Sequence, residues 1–291
     1  MPDRGSPTVR GRRLAAELRR LRERTGLTGE EVAHRLGWSG SKISRIELHR
    51  IGVKRSDLRA LLGLYGVDDA HGEELLALAD ESKKKNWLEV ITATFPPEHA
   101  AYYHVEAEAQ SIWNWEPQVV PGLLQTPEYA RAVIELWPAM FPGPQREADR
   151  RVEARVIRQQ ILTRDPPLEL TAVIDESVLR RRFGSKAVMA AQLTHLAEAS
   201  ELPNVELRIF PLDGEEAPLA TGAFSYLQFP QVHDVPLSDI VSVEQFEGSY
   251  YLEEEEQTFR YRAAFEYLVR HSLGPAQSRS LIAATTQAVW S

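Results

Sequence analysis

The chain has no cysteine among its 291 residues, so it can form neither a disulfide bond nor a thiolate metal site. It also lacks any run of about 18 uncharged apolar residues, which a transmembrane helix needs. The segment from Met1 to Arg10 contains no apolar stretch, so we predict no secretory signal. These absences favour a cytoplasmic globular protein without a membrane anchor. The 43% hydrophobic content is enough for a packed core.

Motifs of common catalytic and nucleotide-binding sites are missing as well. The sequence contains no G-x-G-x-x-G or Walker A loop, no H-E-x-x-H helix and no G-x-S-x-G turn. The segment Ser39-Gly-Ser-Lys42 matches the S-x-x-K of penicillin-binding enzymes, but the partner motifs S-D-N and K-T-G are absent. We therefore expect no enzyme, no cofactor and no metal ion. An enzyme would need a convergent arrangement of residues that no motif reveals.

Charge is distributed unevenly along the chain. Residues 1–60 contain 15 Lys/Arg and 7 Asp/Glu, a balance of +8, although the whole chain has a net charge of −8. The remaining residues therefore have a balance of −16. A basic segment of domain size indicates a polyanionic partner such as nucleic acid, unless the asymmetry is chance variation. Because that partner would repel the acidic remainder, we expect the remainder to have a different role.

An apolar stripe predicts the first helix, over Val9–Arg24. The stripe consists of Leu14, Leu18 and Leu21, and the opposite face carries Arg12, Arg13, Arg19, Arg20 and Arg22. Thr28 and Glu31 have the spacing of a capping box at the start of a second helix. A tight turn at Gly37 leads into a third helix, and two further apolar patterns predict a fourth and a fifth. Short helices in this order are typical of a helix-turn-helix.

The segment from Leu27 to Glu47 resembles the Xre/Cro-type helix-turn-helix of bacterial repressors, and the resemblance extends over about residues 9–80. It implies that Ser39–Leu48 is the recognition helix, which lies in the major groove of DNA. In this family a carboxylate at the position of Glu47 is usually structural and bonds within the motif. The side chains at the exposed positions are also suited to binding DNA, independently of the family resemblance.

The predicted DNA contacts lie at the start of the second helix, along the recognition helix and just beyond it. They are Thr28, Ser39, Gly40, Ser41, Lys42, Ser44, Arg45, Arg50, Lys54 and Arg55. Arg45 can donate two hydrogen bonds to guanine, whereas Lys42 is better placed for phosphate. The family commonly has a phosphate-gripping glutamine at the position of Gly29, where this chain keeps only backbone N–H groups. The alternative is an all-helical bundle that binds another protein.

Pro96-Pro97 interrupts the helical pattern of the sequence, and predicted helices alternate with predicted strands beyond that point. We predict a helix-turn-helix domain over 1–85, a linker over 86–97 and a regulatory or dimerisation domain over 98–291. The first domain is predicted to be all-α. The second is predicted to be mixed α/β, with a sheet of about four to five strands flanked by helices, so the overall class is α+β. The segment Glu98–Trp113 is predicted to be helical.

Two segments of the second domain, Val105–Gln110 and Trp115–Arg131, resemble the domain of unknown function that follows Xre-type modules in many actinobacterial regulators. The resemblance extends over about residues 98–285. It implies a transcriptional regulator of Streptomyces-like bacteria. Such regulators are often encoded beside a small protein, in pairs that resemble toxin–antitoxin systems and are linked to development or secondary metabolism.

We therefore expect a sequence-specific transcriptional regulator that binds double-stranded DNA as a homodimer. Its second domain would dimerise and sense a partner protein or a ligand. The alternative is an antitoxin-like module whose main partner is a small protein encoded by the adjacent gene. A ligand or partner site is predicted from aromatic and charged residues around a proline-rich loop: Trp113, Trp115, Glu116, Arg155 and Arg158. The aromatic residues could instead fill the core.

Overall fold

A computed structural model describes residues 9–81, 97–136, 145–217, 221–230, 239–245 and 248–291. The chain forms two compact units, and Glu108 and Ala109 lie on opposite sides of the division, with Pro230 assigned to the first unit. In the described residues the first unit is helical and the second contains the sheet, which confirms the α+β class. Most of the predicted linker, residues 86–96, lies outside the described residues.

The first unit contains six helices among its described residues. They are α1 (Val9–Arg24), α2 (Gly29–Leu36), α3 (Gly40–Glu47), α4 (Arg55–Tyr65), α5 (Asp69–Glu81) and α6 (Pro97–Glu108). The bounds of α1 are those predicted from its leucine stripe, and the predicted recognition helix, Ser39–Leu48, contains α3 with one extra residue at each end. The apolar pattern predicted these boundaries well because each helix has one buried face.

Local hydrogen bonds explain why α2 begins and ends where it does. The Thr28 hydroxyl accepts the Glu31 N–H at 3.2 Å, and the Glu31 carboxylate accepts the Thr28 N–H at 2.8 Å, which confirms the capping box. Gly37 ends the helix with φ of 66°, a left-handed conformation that favours glycine. Helices α1 to α5 share one apolar core, which includes Leu14, Leu18, Val32, Ile43, Ile46, Leu58 and Leu61. The helix caps and the shared apolar core therefore both stabilise the motif.

A six-stranded sheet forms the centre of the second unit, where about four to five strands were predicted. The strands are β1 (Ser111–Glu116), β2 (Glu169–Asp175), β3 (Val205–Phe210), β4 (Phe224–Gln228), β5 (Ile240–Gln245) and β6 (Gly248–Leu252). Their spatial order is β3-β2-β1-β4-β5-β6. Strands β1, β2 and β3 are parallel, whereas β4, β5 and β6 join them through antiparallel pairs.

Strand β1 corrects the prediction of a helix over Glu98–Trp113. The helix α6 ends at Glu108, and β1 begins at Ser111 and lies between β2 and β4. In an extended strand, alternate side chains point to opposite faces, so Trp113 and Trp115 share one face and Asn114 lies on the other. The prediction was wrong because the helical apolar spacing of α6 continues by coincidence into these residues.

Helices surround the sheet of the second unit. They are α7 (Pro127–Ile134), α8 (Gln145–Arg158), α9 (Glu176–Arg180), α10 (Lys186–Ala199), α11 (Glu255–His271) and α12 (Pro275–Thr285). Short 3-10 helices at Gly122–Leu124 and Gln159–Leu162 follow β1 and α8, and a π-helical turn at Thr286–Trp290 follows α12. Among the described residues, no helix has the length and apolar character needed to cross a membrane.

The α11 helix covers one face of the sheet with an aromatic core. Trp115, Phe224 and Phe265 are buried together there, with Leu268 of α11 among them. The α10 helix contacts α7 and α12, and α12 contacts the edge strand β3. The Ser278 hydroxyl of α12 accepts the backbone N–H of Ile209 at 2.9 Å. Helices therefore flank the sheet as predicted.

Candidate DNA-binding surface and a buried polar site

The recognition helix α3 has a buried face and an exposed face. Ile43 and Ile46 are buried in the core, whereas Ser41, Ser44 and Arg45 are exposed. The Arg45 Nε–H donates a hydrogen bond to the backbone carbonyl of Ser41 at 3.2 Å, so the side chain lies along the helix toward its N-terminus. The outer surface of α3 therefore presents one guanidinium and two hydroxyls, all of which can bond to base edges.

The remaining predicted contacts differ in how exposed their side chains are and in which hydrogen bonds they already make. Gly40, Arg50 and Lys54 are exposed. Ser39 occupies the N-cap position of α3, as predicted, but its hydroxyl lies 3.2 Å from the Ser41 hydroxyl and makes no capping bond to the helix backbone. Thr28 is exposed, but its hydroxyl is engaged in the capping box.

Two of the predicted phosphate contacts are held by carboxylates of the same domain. The Lys42 ammonium lies 2.8 Å from the Asp57 carboxylate and 3.5 Å above the centre of the Trp38 ring. Arg55 forms an ion pair with Asp80. A DNA phosphate would therefore have to compete with an internal partner at both positions. This finding weakens Lys42 and Arg55 as candidates relative to Arg45.

Glu47 ties the end of the recognition helix to α1. Its two carboxylate oxygens accept hydrogen bonds from Arg22 at 2.7 and 2.9 Å, and Arg22 also donates to the Leu27 carbonyl at 2.9 Å. The hydrogen bond to Glu47 raises the pKa of Arg22. Glu47 therefore bonds within the motif, as the resemblance implied. Its partner was missed because Arg22 is 25 residues away.

The arginines of α1 are less available than their predicted position on an outer face implies. Arg19 pairs with Glu23 at 2.9 Å, and Arg20 pairs with Glu17 at 2.7 Å. Arg13 is buried, where an exposed side chain was expected. The positive charge of residues 1–60 is therefore partly neutralised along α1, whereas Arg45 of α3 is exposed and forms no ion pair with a carboxylate among the described residues.

The predicted site in the second unit separates into two groups on opposite faces of β1. Trp115 is fully buried, and Trp113 stacks between Tyr226 and Phe265 with ring centroids 5.3 Å apart in each pair. Both tryptophans therefore belong to the aromatic core beneath α11. They do not form one site with Glu116, because alternate residues of a strand point to opposite faces.

The face of β1 that carries Glu116 has a row of buried polar side chains. Asn114 is paired with Ser225 of β4, which is paired with Ser242 of β5, and all three are buried. The Asn114 amide donates hydrogen bonds to the Ser225 hydroxyl at 3.1 Å and to the Phe224 carbonyl at 3.2 Å. Sequence reasoning missed this row because the three residues come from separate strands.

Two arginines of α8 converge on the loop that follows β1. A Cβ atom added to Gly122 would lie 2.1 Å from Arg158 Nη2 and 3.9 Å from Arg155 Nε. Arg158 is 7% exposed, and the Arg155 Nη1–H donates to the Gln125 side-chain oxygen at 2.9 Å. The position of the Arg158 guanidinium therefore requires glycine at position 122.

The charges of Glu116, Arg155 and Arg158 interact at this end of β1. Burial raises the pKa of Glu116 to about 8, and the nearby carboxylate of Glu244 acts in the same direction. Asn114 and the two arginines oppose this shift. Near neutral pH, Glu116 is therefore largely protonated. Three of the five predicted residues come together, and their balance is positive.

Glutamine side chains hold the loop between β1 and α7 in place. The Gln125 amide donates to the Val120 carbonyl at 2.7 Å, and the Gln159 amide donates to the Gln125 carbonyl at 2.6 Å. Gln192 of α10 donates to the Leu124 carbonyl at 2.7 Å. These residues were missed by sequence reasoning because a buried glutamine has no periodic signature. Their hydrogen bonds hold the backbone of the loop beside Arg155 and Arg158 in place.

No group of three or more histidine, aspartate or glutamate side chains in the described ranges is arranged to hold a metal ion. The candidate sites of the described chain are therefore the outer surface of α3 and the polar cluster at Glu116. The first is a surface for hydrogen bonds and charge, and the second is a partly enclosed cluster of charged groups.

The helical unit and its exposed α3 define the class of the protein as a helix-turn-helix protein with an added C-terminal domain. A family model described as a helix-turn-helix domain matches residues 13–75. A second model, described as a domain of unknown function (DUF5753), matches residues 99–284. Because that match covers more than half of the chain, the protein belongs to the DUF5753 family. No curated protein and no solved structure matches the chain.

Proposed function

We propose that this protein is a sequence-specific DNA-binding transcriptional regulator whose helix α3 enters the major groove. The observation that carries the proposal is the exposure of Arg45, Ser41 and Ser44 on a helix whose other face is buried. Such a surface can read base edges, while backbone N–H groups at the start of α2 can bind phosphate. The match to a helix-turn-helix domain supports the same role.

The proposal includes a homodimer that reads two half-sites about one helical turn apart. The DUF5753 domain would dimerise and sense a partner protein or a ligand rather than catalyse a reaction. We propose a cytoplasmic location, where the chromosome of a bacterium lies. We also propose an origin among actinobacterial regulators of the Xre type, on the resemblance of the sequence motifs in both domains.

The substitution Arg45→Ala tests the base-reading role of α3. We expect it to weaken binding to the natural operator by about 1–3 kcal/mol and to relax specificity at one base pair. Gel-shift titrations against the operator and its single-base variants measure both effects. Arg19→Ala is the matched control, because Arg19 is also an exposed arginine of the motif but is paired with Glu23. We expect its effect to be small.

An equal loss of affinity across all sequences would reduce Arg45 to a phosphate contact. Light scattering of the free protein and of its complex with DNA tests the dimer. A palindromic operator bound by one chain only would contradict the homodimer while leaving DNA binding intact.

We infer a second candidate function from the acidic balance of the residues beyond the helix-turn-helix. An antitoxin-like module would bind a small basic protein, encoded by the adjacent gene, through an acidic surface. The residues Glu253–Glu256 are exposed at the start of α11 and favour such a contact. In this case DNA binding would be secondary to protein binding.

Mixing the chain with the product of the adjacent gene at micromolar concentration tests this second function. Joint elution from a sizing column is expected if the two form a complex. Separate elution would rule out the antitoxin-like role and leave the regulator. Replacing all four glutamates of 253–256 by glutamine should abolish joint elution without changing DNA binding, because the acidic surface and α3 are different parts of the chain.

A further inference from the structure

Lys42 lies in the first turn of α3, where a positive charge is unfavourable by itself. The N-terminus of a helix already carries partial positive charge, so a cation there needs a specific partner. The Lys42 ammonium lies 2.8 Å from the Asp57 carboxylate and 3.5 Å above the centre of the Trp38 ring. Asp57 belongs to the first turn of α4, and Trp38 lies between α2 and α3. The lysine therefore connects three parts of the helix-turn-helix.

Both partners of the lysine are themselves held in place. Trp38 packs against the apolar core of the unit, and the carboxylate of Asp57 is stabilised by the N-terminus of α4. The side chains of Lys42 and Asp57 are only 26% and 20% exposed, so solvent screens their attraction less than that of a fully exposed pair. A DNA phosphate would therefore have to displace a shielded ion pair in order to bind this ammonium.

The helix α3 is linked to its neighbours near both of its ends. The pair of Lys42 and Asp57 links its first turn to α4, and the pair of Glu47 and Arg22 links its last residue to α1. The exposed side chain of Arg45 lies between these two links. Reading a base edge requires side chains held within about 0.5 Å of the productive geometry, so the orientation of α3 matters for specificity.

We propose that Lys42 is a positioning residue for base readout and not a phosphate contact. Its link to Asp57 and Trp38 fixes the first turn of α3, and this orientation brings the side chains of Ser41 and Arg45 to the base edges that they read. The inference rests on the proposed DNA-binding function and deepens it, because it assigns a residue that determines specificity without touching DNA.

The probe for this role is a DNA duplex that the wild-type full-length protein selects from a randomised library. Fluorescence anisotropy gives the affinity for this duplex and for its single-base variants, at several salt concentrations. The substitution Lys42→Met keeps the apolar stem and removes the charge. It should lower discrimination between the selected duplex and its variants by about tenfold and leave the salt dependence unchanged. A residue that only stabilises the fold would not change the base preference of the folded protein.

Lys54→Met is the matched control. Lys54 is an exposed lysine at the N-cap position of α4, and it remains a predicted phosphate contact. Loss of a phosphate contact should weaken binding to all duplexes alike and reduce the slope of log affinity against log salt by about one. The two lysines should therefore differ both in discrimination and in salt dependence.

The substitution Asp57→Asn keeps the test valid if Lys42→Met fails to fold. It leaves the lysine in place but breaks the link from the other side, so discrimination should fall to a similar extent. In the double variant Lys42→Asp with Asp57→Lys, the exchanged charges can pair again, and discrimination should return at least in part. A phosphate contact by Lys42 predicts the opposite, since Asp57→Asn would then free the ammonium and tighten binding to every duplex.

The outcomes separate this inference from the proposed regulatory function. A salt slope reduced by about one in Lys42→Met, with discrimination unchanged, would overturn the positioning role and restore Lys42 as a phosphate contact. Wild-type discrimination in both Lys42→Met and Asp57→Asn would also overturn it. Both results require a wild-type protein that discriminates between duplexes. A wild-type protein that selects no sequence from the library would instead contradict the regulator, and the positioning role with it.

Discussion

The two units use charged residues in opposite ways. On α3 the guanidinium of Arg45 is exposed to solvent and is available to a partner at little cost. At the end of β1, Arg155 and Arg158 are held beside Gly122 in a partly enclosed position, where desolvation makes each charge costly. Exposure therefore marks the candidate DNA-binding surface, whereas the burial of costly charge marks the second candidate site.

The two regions also differ in how their charges are neutralised. In the first unit, several basic side chains away from the outer face of α3 pair with carboxylates of the same unit, as Arg22 pairs with Glu47. In the second unit, Arg155 and Arg158 interact with Glu116, a carboxyl group whose pKa burial raises to about 8.

The largest expected effect is that of Glu116→Gln on the pH dependence of the free energy of unfolding. An unfolded glutamate has a pKa of about 4.3, so the raised pKa stabilises the fold below about pH 4 and this contribution is lost as pH rises through 8. We expect the wild-type free energy of unfolding to fall by roughly 2–4 kcal/mol more than that of the variant between about pH 5 and pH 8. Urea unfolding followed by tryptophan fluorescence measures it.

The matched control for this pH dependence is Glu198→Gln, because Glu198 is exposed on α10 of the same unit. Its stability should follow the wild-type curve at every pH. If Glu116→Gln also follows the wild-type curve, Glu116 is not held protonated, and the electrostatic contrast between the two units is smaller than proposed.

The substitution Gly122→Ala tests whether the two arginines must converge. The added methyl group would lie 2.1 Å from Arg158 Nη2 and would displace a guanidinium that is 7% exposed. We expect a loss of about 2 kcal/mol or more in the free energy of unfolding. Gly222→Ala is the control, since an added Cβ there meets no atom within 4 Å. Equal stability of the two variants would mean that Arg158 can move aside without cost.

Double-mutant cycles compare a shielded ion pair with an exposed one in the first unit. The side chains of Arg22 and Glu47 are 14% and 10% exposed, whereas those of Arg19 and Glu23 are 59% and 54% exposed. With glutamine at each position, we expect a coupling energy of about 1–2 kcal/mol for the shielded pair and below about 0.5 kcal/mol for the exposed pair. Equal couplings would show that α3 does not depend on its link to α1.

Much of the first unit was predictable because its signals are local. The leucine stripe predicted the bounds of α1, and the spacing of Thr28 and Glu31 predicted the start of α2, since caps and apolar faces act over a few residues. The partner of Glu47 was not predictable. Arg22 reaches it through the tertiary fold, and no spacing rule connects positions 25 residues apart.

The second unit was less predictable because its site depends on pairing between distant strands. Strand β1 has only six residues, and its alternation of aromatic and polar side chains was too short to oppose the helical pattern before it. Arg155 and Arg158 were selected as residue types, but their convergence on Gly122 depends on the packing of α8 against the loop after β1. The separation of Trp113 from Glu116 required the strand assignment.

The smallest expected effect is at Gly29, the position at which the sequence resemblance led us to expect a glutamine that contacts phosphate. A Cβ atom at this position would lie 3.5 Å from Ile43 Cγ2, an ordinary contact, so a side chain fits at the start of α2. We expect Gly29→Gln to raise operator affinity about threefold, because its amide gains one phosphate hydrogen bond. The salt dependence should not change, since glutamine adds no charge.

Gly29→Ala separates this contact from a simple gain in helix propensity. Alanine stabilises the first turn of α2 about as well as glutamine but cannot reach a phosphate. Fluorescence anisotropy titrations at two salt concentrations, with the natural operator, compare the three proteins. If alanine and glutamine raise affinity equally, the glycine weakens DNA binding only by loosening α2. A gain for glutamine alone would show that the first unit has an unused position for phosphate on its exposed surface, in contrast to the enclosed arginines of the second unit.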